Sequence, residues 1–243
     1  MATHTINTSA MENEQYRMAT IMHLLQLSDS ALPVGAFSFS ATLESAADAG
    51  VVKDEASLEQ YTREVVRTVA FTDGVAALTA WQATTDSDYE AVIAADSALY
   101  CSKPNDEARI MSQRMGRKLA ELMAPLLRQE FLTRWHEDVK QQRISGNYAI
   151  TQAIVAQICC VEKSELFCSI CYGAASIILG AALRATRTTH FATQGILFRL
   201  ADFIGEMYGQ AKDMRLDEMH SFSPQCDIMA SLHEKGSKRL FMN

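Results

Sequence analysis

Between Leu166 and Leu183 the chain carries eighteen consecutive residues without a charge, and such a run has two stable homes, a bilayer or the interior of a helical bundle. The make-up of the run points to the interior. Ten of its residues are Ala, Gly, Ser or Cys, which leaves few large aliphatic groups to face lipid, and Glu165 and Arg184 close it at both ends. Gly173 and Gly180, seven residues apart, share one helix face, where a second helix can approach closely. A helix at the centre of an all-α bundle is the expectation, with no membrane-spanning role.

The rest of the chain agrees with that class. With 4 Pro and 11 Gly in 243 residues there are few obligatory helix stops, and no alternating strand pattern competes. Helical periodicity is read at about 13–28, 38–49, 54–83, 86–100, 106–126, 126–142, 147–161, 164–184 and 190–208, with a short turn of helix after Ser223-Pro224. In the first of these, Met18, Ile21, Met22 and Leu25 fall at i, i+3, i+4 and i+7 and make one apolar stripe. The expected architecture is a single-domain multi-helix bundle of about ten helices over residues 11–232. A disordered tail at 1–10 precedes it and an exposed C-terminal tail at 233–243 follows.

Charge and cysteine usage restrict the function. A formal charge of −7, with no basic stripe interleaved with aromatics, repels a phosphate backbone, so nucleic acid is not an expected partner. Met1 to Ala10 is polar and lacks the apolar region of an export signal, which places the protein in the cytoplasm. Four of the six cysteines lie in apolar helical runs, where a reduced thiol packs as a small hydrophobe. Cys168 and Cys171 lack a second ligand pair, and neither a phosphate-binding Gly-x-x-x-x-Gly-Lys loop nor a His-Glu-x-x-His helix is present, so no metal, cofactor or catalytic residue is assigned. The alternative from another class is an all-α hydrolase using a cysteine nucleophile, with Cys101 as its thiol.

Two segments are more specific. In Leu32-Pro33-Val34-Gly35-Ala36-Phe37-Ser38-Phe39-Ser40, Pro33 fixes φ and Gly35 opens conformations barred to other residues, so the backbone can turn tightly and present Phe37, Ser38 and Phe39. At the other end, Arg239 stands beside Leu240 and Phe241, a pairing of a bidentate donor with apolar anchors that suits a partner's groove.

The loop, closed by Leu43 and Glu44, resembles that of the urease accessory protein F family, whose pattern is approximately Leu-Pro-[Val/Ile]-Gly-[Gly/Ser]-[Tyr/Phe]-[Ser/Thr]-x-Ser-x-Gly-Leu-Glu. Leu25-Gln26-Leu27, the Arg109–Lys118 segment with Arg114-Met115-Gly116-Arg117, and a tail with His233-Glu234 before Arg239-Leu240-Phe241 agree in the same order. Thr42 stands where the family usually has Gly, Ala36 replaces Gly or Ser, and Phe37 lacks the hydroxyl of the common Tyr. The resemblance implies an all-helical, non-enzymatic maturation factor that dimerises. It would dock on an accessory protein of the D or H type and recruit the nickel-carrying GTPase G to apo-urease. On the same ground the residues expected to touch partners are Pro33, Gly35, Phe37, Ser38, Ser40, Glu44, Arg109, Arg114, Arg117, His233, Glu234, Arg239, Leu240 and Phe241.

Overall fold

A computed structural model of the chain describes residues 8–35, 42–103, 105–221, 223 and 228–229, with side-chain surroundings from residue 14 onward. Helix starts are set by short polar caps. Asp54 accepts from the Ser57 amide at 2.8 Å while the Ser57 hydroxyl accepts from the Asp54 amide at 3.0 Å, and this capping box opens α3 (Glu55–Val69). Asp88, Asn105 and Thr189 each accept from the amide three residues on, opening α5 (Tyr89–Ser102), α6 (Asp106–Leu127) and α10 (His190–Ala211). The remaining helices are α1 (Thr8–Ser28), α2 (Leu43–Asp48), α4 (Val75–Thr85), α7 (Glu130–Lys140), α8 (Tyr148–Ile158) and α9 (Lys163–Ala185).

The described residues form ten α-helices and no strand, the all-α class that the periodicity predicts, while the short helix expected after Ser223-Pro224 falls almost wholly outside the described residues. One difference lies inside the long helix expected at 54–83. A π turn, Ala70–Gly74, joins α3 to α4 as one continuous rod. Such turns insert an extra residue per turn and shift the faces on either side of them, which no hydrophobic pattern announces. Its last residue has no room for a side chain, since a Cβ on Gly74 would lie 2.6 Å from the Phe167 ring of α9.

Two hydrophobic cores flank this turn. The first gathers α4, α5, α6, α7 and α8 around Trp135, whose indole nitrogen donates to the Thr151 hydroxyl at 3.0 Å. The second joins α2, α3 and the π turn to α9 and α10 around Phe167, Ile178 and Ile196. The segment after α10 runs back across the rod, with His220 stacked on Phe71 and the Ser223 and Thr68 hydroxyls paired at 2.8 Å. Helix α9 is long and apolar enough to cross a membrane by length and composition. Here Leu166, Phe167, Cys171, Ile178 and Leu179 are buried among its neighbours.

Candidate partner-binding surfaces

Helix α1 meets α9 and α8 through a narrow polar and apolar face: Thr20 and Leu27 are buried, and the Ser28 hydroxyl pairs with that of Ser169 at 2.9 Å. Its apolar stripe looks the other way. Met18, Met22 and Leu25 are 68%, 64% and 59% exposed, and Tyr16 and Ile21 stand exposed beside them. An amphipathic helix normally buries its apolar stripe on its own core, so a stripe turned to solvent marks a contact surface.

The turn after α1 is firmly built. The Asp29 carbonyl accepts from the Leu32 amide at 3.0 Å, and its carboxylate accepts from the Ala31 amide at 2.9 Å. Leu32 and Val34 are buried as pins, while Pro33 and Gly35 stay exposed, Gly35 at φ +86°. Phe37, Ser38 and Ser40 lie outside the described residues. At the far side, Thr42 adopts φ +66°, the left-handed region that favours glycine, and its hydroxyl pairs with that of Tyr61. The Gly that the resemblance expects at this position has a physical reason, and Thr sits there under strain. Glu44 is buried, so a role for it runs through the shape of the loop.

The three arginines of α6 divide. Arg109 donates to Asp106 at 2.9 Å and to the Lys103 carbonyl at 3.0 Å, with its guanidinium over Tyr100, and so fastens the α5–α6 connection. Arg114 and Arg117 are exposed and bracket Gly116. That glycine permits the closest approach in the fold: a Cβ there would collide with the Gly146 carbonyl oxygen. The opposing loop is fixed by Asp96, a buried carboxylate that accepts from the Gly146 amide at 2.9 Å and from the Asn147 amide and side-chain nitrogen, both at 2.8 Å. Burial raises the Asp96 pKa above the usual carboxylate range, and the donors of Asn147 and Gly146 oppose the rise.

A second open feature runs along α9. Gly173 and Gly180 do share a face, but among the described residues nothing comes within 4 Å of where their Cβ atoms would be. Among those residues no helix makes the close approach expected there, and the face instead borders a groove of about 440 Å³. On its floor, Lys103 and Asp73 of the π turn form an ion pair at 2.6 Å, both largely shielded from water. The Gln152 side chain donates to the Ser169 hydroxyl at 3.0 Å. Asp73 and Lys103 lie thirty residues apart, and the sequence holds no sign of their pairing.

Other features also escaped the sequence reading. Phe191 and Phe198 on α10 are 92% and 85% exposed. Their spacing of seven puts them on one face, a signal present in the sequence. Burial pushes the Cys159 thiol up to about 11 and that of Cys171 higher still, which disfavours the nucleophilic thiolate at these two positions. Cys101 is exposed in the last turn of α5. Among the described residues no group of three His, Cys, Asp or Glu side chains is placed to hold a metal ion. The tail residues His233, Glu234, Arg239, Leu240 and Phe241 lie outside the described residues.

The described residues form an all-α bundle that turns apolar side chains of α1 and α10 outward. Comparison with known proteins gives the family. The UreF family model matches residues 52–201. The chain is 36% identical to urease accessory protein UreF 2 of Brucella canis over all 243 residues of both. It is also 37% identical to the UreF of Yersinia enterocolitica over 223 residues, covering 92% of this chain and 98% of that one. A UreF 1 from Brucella melitensis is 38% identical over 223 residues, 92% of each chain. The chain belongs to the UreF family of urease accessory proteins.

Proposed function

We propose that the protein is a non-catalytic scaffold of urease maturation, working in the cytoplasm through contact surfaces rather than bound cofactors. It self-associates, docks on an accessory protein of the D or H type, and recruits the nickel-carrying GTPase G to apo-urease. Nickel is cargo of that assembly. The observation that carries this reading is the outward stripe of α1, where Met18, Ile21, Met22 and Leu25 offer a continuous apolar ridge next to the Pro33–Gly35 turn. Flexible methionines suit such a ridge because they adapt to a partner's pockets. Burying side chains of this size is worth about 1.5–3 kcal/mol each, so three or four of them can anchor a complex.

The test is capture of a coexpressed D/H-type partner by the tagged full chain. Met18→Glu with Met22→Glu should abolish capture. Truncation after Leu232, or Arg239→Ala, should weaken it, through the tail that the family resemblance assigns to docking. Full capture by all three variants would refute the reading.

A further inference from the structure

Helix α1 is lightly held. Among the described residues it buries only Thr20 and Leu27, and its side chains make two hydrogen bonds to other elements. One, between the Tyr16 hydroxyl and the Cys160 thiol, is exposed and relies on sulfur, a weak partner. The other ties Ser28, the last residue of the helix, to Ser169 of α9 at 2.9 Å. Whatever fixes Ser169 therefore fixes the base of α1.

Gln152 of α8 is what fixes it. A hydroxyl inside a helix commonly turns back on the carbonyl four residues earlier, as those of Thr62, Thr79 and Thr84 do at 2.7, 3.1 and 2.8 Å. Ser169 makes no such bond among the described residues. Its oxygen instead accepts from the Gln152 side-chain nitrogen at 3.0 Å and pairs with Ser28. Gln152 and Ser169 are 3% and 6% exposed, so this chain of bonds runs from the interior out to α1. Its inner end is costly, because Gln152 Oε1 is buried and has no hydrogen-bond partner among the described residues. Turning the amide over only exchanges an orphaned acceptor for an orphaned donor. An apolar side chain of the same shape would avoid that cost, so the amide adds position at the expense of core stability.

We propose that Gln152, Ser169 and Ser28 form a latch that holds α1 in the pose its partner meets, with Gln152 as the positioning residue. The proposal rests on the docking role given to α1 above and names what sets it. A partner binds at full affinity only the fraction of molecules that hold this pose. Loosening the base of the helix therefore weakens capture without removing any group from the contact surface, and does so from a residue that no partner touches.

The full-length chain tests this with opposite signs for stability and capture. Gln152→Met removes the amide and its orphan while filling the same space, so the melting temperature should stay at or above the parental value. Affinity for the D/H-type partner, titrated against the tagged chain, should nevertheless fall by about three- to tenfold, the worth of one hydrogen bond. Amide hydrogen exchange should quicken along α1 and stay parental in α3 and α10. Ser28→Ala should weaken capture to the same degree, and Ser28→Thr, which keeps the hydroxyl, should not. Ser28→Ala combined with Gln152→Met should lose no more than either alone, since both cut one chain. Parental exchange along α1 in Gln152→Met overturns the latch, and so do losses that add in the double variant. Faster exchange with parental or tighter capture overturns its part in docking. A melting temperature more than about 2 °C below the parent overturns it as well, because Gln152 would then be a support of the core. Full capture by Met18→Glu with Met22→Glu refutes the docking role of α1 itself, a failure read independently of the exchange.

Discussion

Gly116→Ala adds one methyl group at the tightest point of the fold. The new Cβ would collide with the Gly146 carbonyl oxygen and lie 2.8 Å from the Asn147 carbonyl carbon and 2.9 Å from the Tyr148 nitrogen, where ordinary contact begins at 3.4 Å. Either α6 or the loop must retreat. Helix α6 is held by Met115, Leu119 and Met123 in the first core, and the loop is held by three hydrogen bonds to buried Asp96. Overpacking of this kind costs about 1–3 kcal/mol, and stretching one buried bond to a charged group adds about 1.5–3 kcal/mol. A loss of roughly 3–5 kcal/mol lowers the melting temperature by about 10 °C for a chain of this size. Thermal unfolding followed by circular dichroism measures it. Because Asp96→Ala releases the loop, the double variant should lose less than the two single losses combined. A melting temperature within about 2 °C of the parent, or strict additivity, would refute the reasoning.

Three further outcomes follow from the same geometry. Thr42→Gly should stabilise the protein by roughly 0.5–1 kcal/mol, since relief of a left-handed β-branched residue outweighs the lost hydroxyl contact with Tyr61; denaturant titration that shows a loss counts against it. Glu59 is held below the usual carboxylate range by Arg199 first and Arg63 second, so the stability it adds is present above its unfolded pKa and lost as pH falls through the lowered one. Glu59→Gln should therefore lower stability by a near-constant amount above the unfolded carboxylate pKa and flatten the acid side of the stability profile. Among the five cysteines in the described residues, Cys101, Cys160 and Cys168 should label quickly under native conditions, and Cys159 and Cys171 only on unfolding. Labelling should leave urease activation intact, which a nucleophilic Cys101 would not permit.

The helical class and the order of helices were legible because periodicity and caps are local: Asp54 and Asn105, with acidic residues just inside the helices they open, announce their starts directly. The π turn was not, since its insertion leaves composition unchanged and is enforced by Phe167 pressing on Gly74 from another helix. The stripe of α1 was legible as a stripe, but not which way it would face. That depends on α9 taking Thr20 and Leu27 instead. The Arg-Met-Gly-Arg segment shows the same division. Its arginines drew notice as contacts, while its glycine proves to be the packing element, and only the loop pinned by Asp96 reveals why.

The central claim is that this chain serves urease by holding its partners through the outward face of α1. The most direct measurement is urease activity and nickel content in cells expressing the urease subunits with all accessory proteins, comparing the parent chain with the Met18→Glu, Met22→Glu variant at matched soluble levels. The account predicts active, nickel-loaded urease with the parent, and a loss of both to the level of cells lacking this chain with the variant. Nickel-loaded urease at parental activity with the variant would contradict it.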